Sequence, residues 1–151
     1  MTTIAYKDGV LAADGRETID GAIFNESAIK IANLGNGLYF AGSGDSDDRA
    51  IREILGSGQI PSVEDLREIK QEHYGILADA KANKLYYVAA DDKACAINDI
   101  PIDRPFATGS GGVYALGAML AGASAKEAVQ AAKKIDVNSG GKVRCVQLWE
   151  G

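Results

Sequence analysis

A threonine placed directly behind an initiator methionine can act as a complete small catalyst once the methionine is gone. Thr2 is such a residue. Its hydroxyl is a nucleophile, and its own freed α-amine, with an ordinary pKa near ~8, can take the proton. Thr is also small enough for Met1 to be trimmed readily. A Met-Thr beginning is common, so the case depends on the rest of the chain. Five further places carry polar or glycine residues that a plain core does not need: Asp14 after the first apolar pair of runs, Lys30 within Ala28-Ile29-Lys30-Ile31-Ala32, Phe40-Ala41-Gly42-Ser43-Gly44, Gly109-Ser110-Gly111-Gly112, and Asp136-Val137-Asn138-Ser139-Gly140-Gly141. Each has an ordinary alternative. Asp14-Gly15 could be a turn, Lys30 the solvent-facing member of an alternating strand, and Asp136 and Ser139 a helix ending. The 109–112 loop resembles a loose phosphate cradle, but it lacks the Gly-Lys-Ser/Thr ending of a P-loop.

The elements that must position these residues follow from periodicity and turn chemistry. Residues 3–6 and 10–13 read as strands around Lys7-Asp8-Gly9, and Asp-Gly is the strongest short hairpin signal. Residues 28–34 and 38–41 repeat the pattern around Gly35-Asn36-Gly37. The period then becomes helical over 46–55, ended by Gly56 and Gly58, and a second helix opens at Ser62-Val63-Glu64-Asp65 and runs to about 71. Strands are predicted at 73–79, 84–90 and, more weakly, 94–97. Helices follow over 112–121 and from the capping box Ser124-Ala125-Lys126-Glu127 to near 135, and a closing strand covers 142–149. Strands grouped with strands, and helices with helices, argue against a doubly wound parallel sheet. The expected class is α+β: a four-layer αββα sandwich, two antiparallel sheets flanked by helix pairs, in one domain over 1–151.

The chain has 151 residues, 46 % of them hydrophobic, and a formal net charge of −5. That length and composition suit a single soluble globule with a substantial core. The negative charge argues against nucleic acid or an anionic membrane as the main partner. No apolar run is long enough to span a bilayer, and the first residues lack a secretory layout, so a cytoplasmic location is expected. Cys95 and Cys145 sit in apolar, strand-like runs and read as buried thiols without metal-ligand spacing. His73 is the only histidine, which removes any two-histidine zinc site, and it reads as a strand-edge residue. No metal or cofactor is expected.

Taken together in order and spacing, these residues resemble the proteasome β-subunit family, including the HslV-type peptidases, which are N-terminal-nucleophile hydrolases. The resemblance runs over essentially the whole chain. Thr2-Thr3-Ile4 is similar to the family's mature amino terminus, Asp14 and Lys30 to its acidic residue and active-site lysine, and Ser110 to the serine that contacts the threonine amine. Asp136, Ser139 and Gly140 match its Asp-x-x-Ser-Gly segment, closer to the proteasome type, and Gly42 its oxyanion-hole glycine. The resemblance implies a threonine endopeptidase acting on unfolded proteins or peptides. Asp14 would orient Lys30, Lys30 would supply charge beside Thr2, and Ser110, Asp136 and Ser139 would hold the amine and a bridging water. Thr18 would pair with substrate backbone as an added strand, and Phe40 would line the pocket for the residue before the cut. It also implies stacked homo-oligomeric rings of six or seven subunits and an AAA+ ATPase unfoldase as partner. Competing readings are an inactive ring-forming shell of the same fold, a small-molecule amidase of the wider class, and a nucleotide-binding module on the 109–112 loop.

Overall fold

Asp8 and Gly9 adopt φ angles of 51° and 80°, the left-handed pair that a two-residue hairpin needs to match the twist of its strands. They join β1 (Thr3–Lys7) to β2 (Val10–Ala13), with Ile4 opposite Ala13 and Lys7 opposite Val10. The structure, a computed structural model, describes residues 2–44, 53, 60, 62, 64–65, 73–91 and 95–150. Its described residues form two compact units, one of residues 1–31 and 102–151, the other of 32–101.

In the first unit, β10 (Phe106–Gly109) and β11 (Arg144–Gln147) flank the β1–β2 hairpin in a four-stranded sheet of order β10-β1-β2-β11, each neighbouring pair antiparallel. Two helices, α1 (Gly112–Leu120) and α2 (Ala125–Lys133), pack on this sheet. Ala5 and Ala12 of the strands meet Ala115, Met119, Ala125, Ala128, Val129 and Ala132 of the helices. The small side chains let the layers approach closely while excluding water. Ser124 and Glu127 close the capping box expected for α2. At the end of α1, the Lys7 ammonium donates to the carbonyls of Met119 (3.2 Å) and Ala123 (2.9 Å), where helical partners run out.

The first unit also holds a hairpin that the sequence reading passed over, β3 (Glu17–Ile19) and β4 (Ala22–Asn25). Its turn is a second Asp-Gly, with Asp20 and Gly21 at φ 51° and 80°, so the signal was present between two short apolar runs. β10 is a further strand for which the sequence reading gave no element; Pro105 stands directly ahead of it, and a proline is tolerated just outside a strand's first residue. The closing strand is shorter than expected, and Cys145 on it is exposed rather than buried. β11 is an edge strand; Cys145 stands opposite Ala12 on the helix-facing side of the sheet, at its rim, where the edge leaves it exposed.

The second unit is a five-stranded sheet of order β5-β6-β7-β8-β9, comprising β5 (Ile31–Gly35), β6 (Leu38–Gly44), β7 (His73–Asp79), β8 (Lys84–Ala90) and β9 (Cys95–Ile100). β7 and β8 have the predicted bounds, and β9 runs three residues beyond its prediction. His73, read as a strand-edge residue, is the buried first residue of central strand β7. Ser62 and Asp65 exchange the reciprocal capping bonds expected there; the remainder of that helix, and the helix expected over 46–55, lie outside the described residues. Phe40 packs with Leu77, Val88 and Ala90.

Gly42 and Gly75 face each other across β6 and β7 beneath the Phe40 ring. A Cβ at Gly42 would overlap that ring, and one at Gly75 would overlap the Ala41 carbonyl oxygen, which cannot swing away. Gly75→Ala is therefore expected to cost about 1–3 kcal/mol, as overpacking typically does, and to lower the melting temperature by several degrees. A variant melting with the parent would show that this close approach is not sterically limiting.

Candidate active site

Strand register alone brings three of the candidate residues to one end of the first unit's sheet. The hairpin turn at Asp8-Gly9 sets Ile4 opposite Ala13, so Asp14 stands beside Thr3, and the Asp14 N–H donates to the Thr3 carbonyl at 3.2 Å. On the other side, β10 sets Gly109 opposite Thr3, so Ser110 falls beside Thr2. Gly109 (φ 94°) and Gly111 are glycines for a steric reason: a Cβ at the first would overlap the Thr2 carbonyl, and one at the second the Thr3 hydroxyl. The 109–112 loop is thus filled by the amino-terminal threonines, which removes the room a phosphate cradle would need.

Thr2 is 1 % exposed. Its hydroxyl donates to Asp14 Oδ1 and accepts from the Lys30 ammonium at 2.9 Å. Lys30 also pairs with Asp14 Oδ1 at 3.0 Å, so hydroxyl, carboxylate and ammonium form a closed triangle. Lys30 was expected inside a strand. It lies just ahead of β5 instead, because the preceding segment is held away from the ladder: Ala28 N–H donates to Gly15 O at 2.9 Å and Arg144 donates to Ala28 O at 2.8 Å. Burial pushes the Lys30 pKa below the ordinary lysine value, against the pull of the Asp14 charge.

Asp14 is saturated. Besides Thr2 and Lys30, Oδ1 accepts from Thr3 N–H (3.0 Å), while Oδ2 accepts from the N–H groups of Arg16 (3.3 Å) and Gly140 (3.0 Å). A second network sits beside the first. Thr3 Oγ lies 2.6 Å from Ser139 Oγ, which donates to Asp136 Oδ2 at 2.6 Å. Ser110 Oγ is 2.6 Å from the same Asp136 oxygen and 3.3 Å from the Thr2 carbonyl, which also faces the Gly111 N–H at 3.4 Å. Burial alone would raise the Asp136 pKa; the hydrogen bonds from Ser110, Ser139 and the Asn138 N–H outweigh it and hold the carboxylate below its usual range.

Thr2, Asp14, Lys30, Ser110, Asp136 and Ser139 are therefore brought together within one unit. Thr18 lies on β3 opposite Ile23, at a register shift that begins between Glu17 and Thr18. Gly42 and Phe40 belong to β6 of the other unit. Phe40, expected at a pocket wall, is 1 % exposed and packs with Leu77, Val88 and Ala90 of its own unit. Sequence reasoning missed the hydroxyl of Thr3 and the side chain of Arg16. The only signals for them were a second threonine in the run and a charge two residues beyond Asp14. Among the described residues, no cluster of His, Cys, Asp and Glu has the arrangement of a metal site, and no helix is long and apolar enough to cross a membrane.

No family model and no curated protein sequence matches the chain. Solved structures do. Eukaryotic HslV from Trypanosoma brucei superposes with a TM-score of 0.74 at 21 % identity, over 96 % of this chain and 97 % of that one. The chain has the HslV fold. Thiobacillus denitrificans BPH in complex with epoxomicin matches at 0.67 and 22 % identity over 98 % of both chains, and BPH alone at 0.65 and 22 % over 99 % of both. Coverage this complete means that an α+β HslV-like fold accounts for nearly the whole length of the chain.

Proposed function

We propose that this chain, once freed of Met1, is a threonine-type endopeptidase of the HslV and proteasome β kind. The observation that carries the reading is the Thr2 hydroxyl held between the Asp14 carboxylate and the Lys30 ammonium. A threonine kept only for packing does not need a buried ion pair closed on its oxygen. In the reaction, Thr2 Oγ attacks the carbonyl carbon of a peptide bond, and the freed α-amine takes the hydroxyl proton and passes it to the leaving amine. Water then hydrolyses the resulting ester and restores Thr2. Lys30 stabilises the developing alkoxide and disfavours a charged amine, and Asp14 fixes Lys30. Ser110, Asp136 and Ser139 hold the amine and its water, the Gly42 N–H receives the oxyanion, and Thr18 pairs with substrate backbone.

The same reading includes one domain in a four-layer αββα sandwich, stacked homo-oligomeric rings, an AAA+ unfoldase delivering unfolded protein, and a cytoplasmic setting. The likeness to a protein solved with epoxomicin supports the peptidase over a non-cutting shell.

The test begins with intact mass. Met-free protein is expected to cleave fluorogenic peptides and to be labelled at Thr2 by a peptide epoxyketone, which needs both the hydroxyl and the free amine. Protein retaining Met1, and Thr2→Ala, are expected to do neither. Met-free protein that neither cuts nor takes the reagent would make the shell the better reading; cleavage confined to small amides would point to the amidase.

A further inference from the structure

We propose that Arg16 is the positioning residue of this site, its guanidinium holding the 136–140 segment against Asp14. The inference rests on the peptidase reading for its kinetic consequence, but its structural content stands apart from it. Arg16 Nε and Nη2 form a bidentate pair with Glu26 at 2.8 and 3.1 Å, and Nη1 donates to the Val137 carbonyl at 3.1 Å. The same residue's N–H donates to Asp14 Oδ2. Its guanidinium lies directly over Gly140, so closely that a Cβ there would overlap Cζ, Nε and Nη2.

Gly140 is what the guanidinium covers, and Gly140 is bonded to both sides of the turn at residue 14. Its N–H donates to Asp14 Oδ2 (3.0 Å), and its carbonyl accepts from Gly15 N–H (2.9 Å). Glu26 adds a second tie, since its carbonyl accepts from Lys142 N–H at 2.8 Å. One planar cation thus spans three stretches of chain, residues 14–16, 26 and 137–140, of which the first carries Asp14 and the last carries Ser139 and directly follows Asp136. A half-exposed ion pair adds little to stability by itself. Its value here is geometric, because a fixed fork donating in one plane sets the distance between Val137 and Glu26 as a single point charge cannot.

Two variants remove the clamp by different routes. Arg16→Met deletes the guanidinium. Gly140→Ala leaves it present but forces it aside; Gly140 is outside the positive-φ glycines, and the overlapping atoms are the end of a long side chain, so the fold tolerates the change. In Met-free full-length protein each is expected to lower kcat by about tenfold with KM within about twofold, the signature of displaced catalytic groups rather than lost binding. Arg16→Lys is expected to fall between them and the parent. The double variant is expected to be no worse than either single, because both abolish one contact. Kinetics at parental level, or losses that multiply, would overturn the proposal. Amide hydrogen exchange supplies a readout independent of catalysis: Arg16→Met should speed exchange at Gly15 and Gly140, and unchanged protection there would equally overturn it. If the parent neither cleaves peptide nor takes the epoxyketone, the peptidase reading fails while the exchange measurement still decides the clamp.

Discussion

Lys30→Met is expected to abolish peptide cleavage, by at least about a thousandfold, the upper range for loss of a preorganised charge at the reacting atoms. The ammonium is 2.9 Å from the nucleophile and is the only cation bonded to it among the described residues. Methionine preserves the length of the stem and removes only that charge. The fold is expected to survive, because Asp14 keeps three N–H donors and the Thr2 hydroxyl. Circular dichroism should therefore show a folded protein with a modestly lowered melting point. A variant that cleaves at the parental rate would remove Lys30 from the mechanism, and one that unfolds would make it structural.

The depressed Lys30 pKa adds a pH signature with a definite sign. Between the folded value and the higher unfolded one, the unfolded chain binds the extra proton. Unfolding free energy contributed by this group consequently rises with pH across that window and is flat below it. Activity runs the other way there. A reaction that needs the ammonium declines as pH rises through the folded pKa, so the alkaline limb of the rate profile should fall below the ordinary lysine range and vanish from any residual activity of Lys30→Met. The acid limb should report the Thr2 amine, which must be neutral to act as base.

Asp14→Ala should produce the largest loss of stability, about 4 kcal/mol, in the range found when one partner of a buried ion pair is removed. It strands the Lys30 ammonium together with the N–H groups of Thr3, Arg16 and Gly140, all of which point at a carboxylate that is 1 % exposed. Activity should vanish with it. Asp14→Asn separates charge from shape: it keeps one acceptor oxygen but turns an amide NH2 toward donors, and should melt between Asp14→Ala and the parent. Denaturant midpoints with unchanged slope would measure both. Parental stability in Asp14→Ala would show that the five contacts to the carboxylate contribute nothing net.

Part of this site was legible before any coordinates. A two-residue Asp-Gly turn determines its hairpin's register, so a turn at Asp8-Gly9 already puts Asp14 beside Thr3. Capping at Ser124 and Glu127 was equally readable, since both partners lie within one helical turn. The β3–β4 hairpin carried the same Asp-Gly signal and was missed because its strands are three and four residues long and largely exposed, leaving almost no periodicity to count. The packing of Phe40 against Leu77 and Val88 was not legible, because it depends on two strands more than thirty residues away.

Local chemistry determined where this chain turns, where its helices begin and which side chains could take part in catalysis, because turn and cap geometry involve residues only a few positions apart. Only the tertiary structure decided that Lys30 leaves its strand to meet Thr2, that Gly140 closes on Asp14 from 126 residues away, and that Arg16 reaches both Glu26 and Val137. Those contacts require remote segments to be folded against one another first, and no spacing along the chain encodes which partner a buried charge will find there.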